Sequence, residues 1–330
     1  MPLGPGAGLL AGEDGAARAG ADSGYAVILK ATAGGGGIGM RICADEAELR
    51  DGFAGVVRQG ESSFGDAGVF LERYIARARH IEVQIFGDGA GHVMPLGERD
   101  CSLQRRNQKV VEEAPAPCLS DALRRDLILA AVNLAQAAQY RSAGTVEFLF
   151  DAERQEFFFL EMNTRLQVEH GVTEEVMGVD LVEWMVRGGM GDYAFMDRAA
   201  PTARGHAVQV RLYAEDPALD YRPTTGTLSA LSFPDSIRAE TWCEAGTTIS
   251  AWYDPMIAKV IGYGKTREIA IDTLAAALDR LHVEGLQSNA PFLSAVLDEA
   301  DFRAGRIHTG YIDQHYPDGF HGTAPRTDQL

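Results

Sequence analysis

Apolar residues recur along this chain at two spacings. Tyr25 to Ala31 and Val69 to Ile75 are short apolar runs of strand character. Between them, Asp45 to Val57 places Leu49, Phe53 and Val56 on one helical face. His80 to Phe86 alternates, with Ile81, Val83 and Ile85 on one side, which predicts a half-buried antiparallel strand. Asp88 to Gly91 predicts a turn and His92 to Gly97 the return strand. Ser120 is placed to cap a long helix ending near Tyr140, with Leu123, Leu127, Leu134 and Ala138 on its buried face. Thr145 to Phe150 and Phe157 to Asn163 predict a hairpin around residues 151–155. Val179 to Val186 predicts a helix, Ala207 to Tyr213 an alternating strand, and Arg267 to Leu281 a helix. Strands and helices mix without regular βαβ alternation, so the expected class is α+β with antiparallel sheet prominent. The first dozen residues, rich in Gly and Ala, are expected to be loosely held, and residues 317–330 to form a disordered tail.

Composition narrows the possible functions. The 330 residues are 46% hydrophobic and 23% charged, as in ordinary globular proteins. A net charge of −17 argues against non-specific binding to nucleic acid or anionic membranes, so a site for a polyanion must be a local basic patch. No apolar run approaches the roughly 18–20 residues needed to span a bilayer, and the N-terminus lacks the pattern of a signal peptide. Cys43, Cys101, Cys118 and Cys243 have no metal-type spacing, and the expected compartment is the reducing cytoplasm.

Several segments could carry chemistry. Lys30 precedes the run Gly34, Gly35, Gly36, Gly37, whose backbone N–H groups could approach an anion unobstructed by Cβ atoms. No Gly-Lys-Ser/Thr follows, so this is not a Walker A loop, and a flexible linker is the alternative. Glu147 and Glu161 lie in apolar strands, where a charge is costly unless paired or on a metal. Glu161 and Asn163 share one strand face, and the hairpin could bring Glu147 to it. Two carboxylates and an amide suit Mg²⁺ with nucleotide phosphates, while solvent-facing residues are the plainer reading. Residues 98–109 concentrate Arg99, Arg105, Arg106 and Lys109, either as an anion site or as a solvated basic loop. In residues 163–170, Arg165 could bind a planar oxyanion and Glu169, held near Arg165, could act as general base. His170 reads more simply as a structural histidine bonded to backbone. Arg211, amid apolar strand neighbours, points either into a polar pocket or to the surface.

Together these segments resemble the biotin-carboxylase family of ATP-grasp enzymes, nearly continuously from Pro2 to Tyr316. The resemblance rests on four motifs in order: residues 30–40, residues 98–106, Glu161 to Arg165, and Gln167 to His170. It implies an ATP-grasp fold with a mobile glycine-rich lid (residues 1–74), a core subdomain (75–205) and a biotin-carboxylase C-terminal domain (206–316). It also implies site roles. Lys30 and Gly34 to Gly37 would bind ATP phosphates, with His80 and Gln104 nearby. Glu72, Arg73 and Ile75 would hold adenine, with Leu149 beneath the ring. Glu147 and Glu161 would hold Mg²⁺ (or Mn²⁺), with Asn163 beside them. Lys109, Arg165, Gln167 and the Val168 backbone would hold bicarbonate. Glu169 would deprotonate it, and Arg211 would stabilise the enolate-like oxygen of biotin, the substrate carried on a carrier protein. Closure of the lid would exclude water from a hydrolysable intermediate.

Within the family the wording is most similar to the carboxylase part of urea carboxylase (urea amidolyase), through residues 31–34, 96–99, 106–109, 240–242 and 253–259. Acyl-CoA carboxylases, the runner-up, more often carry histidine where this chain has Asn107. A carbamoyl-phosphate-synthetase-like ligase is more distant, because Gln167 to His170 and Arg211 argue against it. The family's N-terminal Rossmann-like domain is missing, so Met1 reads as a possible internal methionine of a longer gene. The biotin carrier and carboxyltransferase domains are expected on other chains, alongside a possible homodimer partner or separately supplied N-terminal domain. A truncated, weakly active nucleotide- or partner-binding relic is the reading from another class.

Overall fold

The structure is a computed structural model that describes residues 1–33 and 39–322. It divides into two compact units: residues 1–78, 106–108 and 149–160, and residues 79–105, 109–148 and 161–330.

The first unit is built on a four-stranded sheet. In chain order its elements are β1 (Gly6–Ala7), α1 (Glu13–Ser23), β2 (Val27–Ala31), β3 (Met40–Cys43), α2 (Glu46–Phe64) and β4 (Val69–Arg73), with sheet order β1-β4-β2-β3. Alternation decides which face is covered: Val27, Leu29 and Ala31 of β2 and Val69 and Leu71 of β4 are buried with Ala16, Ala17, Leu49 and Val56 of the helices. Asp45 caps α2 by accepting from the Glu48 amide at 2.9 Å, and Gly65 ends the helix at φ 72°. Residues 149–160 join this unit through the Phe159 amide, which donates to the Pro2 carbonyl at 2.8 Å.

The second unit holds most of an eight-stranded sheet. The strands of this sheet include β5 (Ala78–Asp88), β6 (Val93–Arg105), β7 (Gln108–Ala114), β8 (Arg141–Asp151), β9 (Glu156–Asn163) and β10 (His206–Tyr213), with residues 149–160 of β8 and β9 counted in the first unit. The order is 238–241, 256–264, β10, β7, β6, β5, β8, β9. Residues 206–264 therefore extend the same sheet as residues 78–163. The helices of the second unit include α3 (Asp121–Ala137), α4 (His170–Met177), α5 (Leu181–Gly189), α6 (Arg267–Leu278) and α7 (Ala290–Asp298). Ser120 caps α3, accepting from the Leu123 amide at 3.2 Å. Ala270, Ile271, Leu274 and Leu278 of α6 join Val208, Val210, Leu212 and Val260 of the sheet in the main core. Among the described residues no helix is long and apolar enough to cross a membrane.

Four sequence expectations change. First, β5 is buried on both faces rather than half-buried. Its polar side chains, including Glu82 and Gln84, find partners on neighbouring strands instead of solvent. Second, residues 98–105 are not a solvated loop but the buried end of β6. Third, on α3 Leu134 is half-buried and Ala138 exposed, so Ala131 and Ala135 complete the buried stripe. Fourth, the chain past Pro317 is packed as far as Phe320, whose ring lies 5.6 Å from that of Phe292. The remaining tail residues, 323–330, lie outside the described residues.

One buried cation ties three strands and a helix together. Arg99 of β6 is fully buried directly opposite Glu82 of β5. Its Nε donates to Glu82 Oε1 at 2.5 Å. Its Nη1 reaches Gln84 Oε1 at 2.7 Å and Thr173 Oγ1 of α4 at 2.8 Å, and its Nη2 reaches Thr145 Oγ1 of β8 at 3.2 Å. Replacing Arg99 by Leu strands the Glu82 carboxylate, and urea unfolding should show a loss of about 3–5 kcal/mol. Phe292→Ala should cost a similar amount, about 3–5 kcal/mol, because its ring meets those of Tyr221, Tyr316 and Phe320 edge-on.

Candidate active site

The polar face of the large sheet gathers charges from strands far apart in sequence. Lys109 of β7 is the hub. Its Nζ lies 2.6 Å from Glu82 Oε2, 2.9 Å from Glu147 Oε1, 3.1 Å from Gln167 Oε1 and 2.6 Å from Glu169 Oε1. Arg211 of β10 closes the other side: Nε donates to Glu112 Oε1 at 2.6 Å and Nη2 to Glu169 Oε2 at 2.9 Å. Gln209 Nε2 holds the second oxygen of Glu112 at 3.0 Å. Glu169, buried, is thus suspended between two cations, one on each oxygen.

A second cluster adjoins the first. Asn163 Nδ2 lies 3.0 Å from both Glu147 Oε1 and Glu161 Oε1, so the hairpin brings the two carboxylates and the amide to one face. Glu147 is buried and Glu161 exposed. His80 Nε2 lies 3.1 Å from Glu147 Oε2 and 3.7 Å from Glu82 Oε2, at ion-pair distance without hydrogen-bond alignment. Its Nδ1 meets Gln104 Nε2 at 3.1 Å.

The charge states follow from these contacts. Burial and Lys109 both work against the imidazolium of His80, but the Glu147 and Glu82 carboxylates outweigh them and raise its pKa to about 9. Burial also opposes ionisation of Glu147, yet His80 holds its pKa down to about 2. Burial opposes the charge of Lys109 and of Arg211, but the facing carboxylates keep both pKa values above their ordinary range. His80, Glu82 and Glu147 each place a ligand atom within 4.8 Å of the others, and all three are buried. The Glu147 and Glu161 carboxylates form a hard-oxygen donor pair that fits a divalent cation, and the Asn163 amide beside them presents Nδ2 to both.

Past Asn163 the chain leaves the strand. Residues 164–169 form a turn, and Glu169 is the N-cap of α4. Gln167 and Glu169 turn inward, but Arg165 is exposed and its Nη1 reaches the carbonyl of its neighbour Leu166 at 3.4 Å. The expectation that Glu169 is held near Arg165 is therefore corrected: Lys109 and Arg211 hold it. His170 Nδ1 meets the Gln167 carbonyl at 2.7 Å, in the structural role expected of it. α4 lies close to the sheet at Gly171, where a Cβ would lie 2.4 Å from Ile261 Cδ1 and would displace that methyl group.

In the first unit, Lys30 Nζ pairs with Glu72 Oε2 at 2.5 Å. Arg73 lies 3.9 Å from Asp151, and Ile75 and Leu149 are half-buried. Gly34 to Gly37 lie outside the described residues. Asn107 has a left-handed φ of 64° in the turn after β6, a conformation that asparagine tolerates.

Sequence reasoning missed Glu82, Glu112, and the pairing of Arg99 with Glu82. The available signal was polar periodicity: His80, Glu82 and Gln84 share one face of β5 and a cationic residue sits on the next strand. Without the register, that face reads as solvated.

Comparison with known proteins gives this geometry a context. Residues 2–193 match the family described as carbamoyl-phosphate synthase L chain, ATP binding domain, and residues 209–314 match the biotin carboxylase C-terminal domain. The urea amidolyase of Saccharomyces cerevisiae is 46% identical over 327 residues, covering 98% of this chain and 18% of its own. The biotin carboxylase of Halalkalibacterium halodurans is 45% identical, covering 96% of this chain and 70% of its own. Among solved structures, the biotin carboxylase domain of Hydrogenobacter thermophilus 2-oxoglutarate carboxylase, in complex with MgADP, ADP and bicarbonate, aligns with a TM-score of 0.90 at 39% identity. It covers 96% of this chain and 70% of that one. The chain thus spans less than a fifth of the urea amidolyase and 70% of the biotin carboxylase. With both family descriptions matched in order and a buried carboxylate suspended between Lys109 and Arg211, the chain belongs to the biotin carboxylase family of ATP-grasp enzymes.

Proposed function

We propose that this chain carries out the ATP- and bicarbonate-dependent carboxylation of biotin on a carrier protein. The observation that carries the reading is Glu169, buried with Lys109 on one carboxylate oxygen and Arg211 on the other. A small oxyanion entering beside Glu169 meets both a proton acceptor and two preorganised cations.

In this reading Lys109, Gln167, Arg165 and the Val168 backbone bind bicarbonate, and Arg165, exposed here, turns inward to do so. Glu169 removes the bicarbonate proton, and a bicarbonate oxygen attacks the γ-phosphorus of ATP as ADP leaves. The carboxyphosphate formed separates into CO₂ and phosphate, and the phosphate takes the proton from the biotin ureido nitrogen. That nitrogen then attacks CO₂, while Arg211 stabilises the negative charge developing on the ureido oxygen. Glu147 and Glu161, with Asn163 beside them, would hold Mg²⁺ or Mn²⁺, which when bound neutralises charge on the nucleotide phosphates. His80 and Gln104 in the second unit, and Lys30, Gly34 to Gly37, Glu72, Arg73, Ile75 and Leu149 in the first, are the proposed ATP ligands. Residues 1–74 act as the lid, 75–205 as the core and 206–316 as the C-terminal domain.

The proposed acceptor system is urea carboxylase, on the wording of residues 240–242 and 253–259 and on Asn107. The biotin carrier and carboxyltransferase are its proposed partners. A cytoplasmic location fits the four cysteines, all of them free.

Phosphate release that requires both Mg²⁺ and bicarbonate, and rises with free biotin, is the expected result. Glu169→Gln should lower it by about 10²–10⁴-fold. Absence of ATP binding at millimolar concentration, measured by calorimetry, would overturn the reading in favour of a relic that binds partners. Arg211→Ala should cut biotin carboxylation by about 10²–10³-fold while leaving MgADP affinity unchanged. Supplied with the cognate carboxyltransferase, the system should consume urea; carboxylation of an acyl-CoA instead would reassign the acceptor.

A further inference from the structure

The 256–264 strand brings a lysine that the proposed reaction does not use into the turn carrying Glu169. Lys259 is 8% exposed. Its Nζ donates to the Val168 carbonyl oxygen at 2.9 Å and pairs with Glu240 Oε2 at 2.5 Å. In the sheet register Lys259 lies directly between Glu240 on one neighbouring strand and Arg211 on the other. Placing a second buried cation beside Arg211 is unfavourable unless each has its own acceptor. Glu240 supplies that acceptor for Lys259, as Glu112 and Glu169 do for Arg211.

The bond to Val168 acts at one particular place. The Val168 carbonyl and the Glu169 amide form one rigid plane. Holding its oxygen fixes the direction in which the chain enters Glu169, the N-cap of α4 at φ −81° and ψ 7°. Anchoring α4 itself does not depend on Lys259. Arg238 pairs with Glu174 at 2.5 Å and Glu175 at 3.2 Å, Arg99 bonds Thr173 at 2.8 Å, and Gly171 lets the helix lie against Ile261. Helix docking is thus redundantly secured, whereas among the described contacts the Val168–Glu169 peptide plane is held from the sheet by Lys259 alone.

We infer that Lys259, itself held by Glu240, is a positioning residue for the general base: it locks the Val168–Glu169 peptide so that the Glu169 carboxylate stays between Lys109 and Arg211. This inference rests on the reading of Glu169 as the base that acts on bicarbonate.

The test compares bicarbonate-dependent phosphate release by the unaltered protein, Lys259→Met, Lys259→Arg and Glu240→Gln. MgADP affinity and melting temperature are measured alongside. Lys259→Met should lower kcat/KM for bicarbonate by about tenfold or more, the size expected for loss of a hydrogen bond from a charged donor, with MgADP affinity unchanged. Lys259→Arg, which can still donate to the carbonyl, should recover part of the loss, and Glu240→Gln should fall between. Unaltered bicarbonate kinetics in Lys259→Met overturns the inference, as does a parallel loss of MgADP affinity that marks a general disruption. If Lys259→Met does not fold, Lys259→Arg and Glu240→Gln decide: unaltered kinetics in both overturns it. If the unaltered protein itself hydrolyses no ATP in response to bicarbonate, the reading of Glu169 fails first and this inference falls with it.

Discussion

The fully buried guanidinium of Arg99 is the constraint on which the polar half of the large sheet depends. A charge so deep is tolerable only with every donor directed, and its donors reach Glu82, Gln84, Thr145 and Thr173. Those partners come from β5, β8 and α4, so satisfying one side chain fixes three elements relative to β6. Glu82, oriented by Arg99 through one oxygen, offers its other oxygen to Lys109. From Lys109 the contacts pass to Glu147, Gln167 and Glu169, and from Glu169 to Arg211 and Glu112. Hydrophobic packing supplies the stability of the unit, but this chain of contacts determines where these charged side chains point.

Local order was legible in the sequence wherever it depended on neighbours in the chain. Ser120 caps α3 because a side-chain oxygen ahead of an amphipathic run has few better partners than the free amides. The hairpin that joins Glu147 to Glu161 and Asn163 follows from two apolar runs and a polar turn. The core stripe of α2, Leu49 and Val56, follows from periodicity alone.

What escaped depended on pairing at long range. Alternation along His80 to Phe86 is the same whether the polar side faces water or faces Arg99, and only the register decides. The basic stretch from Arg99 to Lys109 looked like one patch, yet its members part company. Arg99 is buried in the sheet, Arg105 pairs with Glu215 at 2.6 Å, Lys109 enters the carboxylate cluster, and Arg106 lies exposed in a turn. Arg165 and Glu169 belong to one motif and are expected near each other from the sequence. The turn after Asn163 sends one outward and the other inward. The motif strings name most of the residues that the structure gathers around Lys109, while the contacts that join them were invisible until the strands were laid side by side.

Lys109 is a resource that the two clusters share. It has one positive charge and four acceptors within 3.1 Å, three of them carboxylates. An ammonium group has three protons, so the acceptors compete for it. Whatever draws Glu147 away strengthens the hold of Lys109 on the others, Glu169 among them, and whatever occupies Glu169 returns Lys109 toward Glu147. The two clusters are therefore thermodynamically linked through one ammonium, and by reciprocity each must feel what happens at the other to the same extent in free energy.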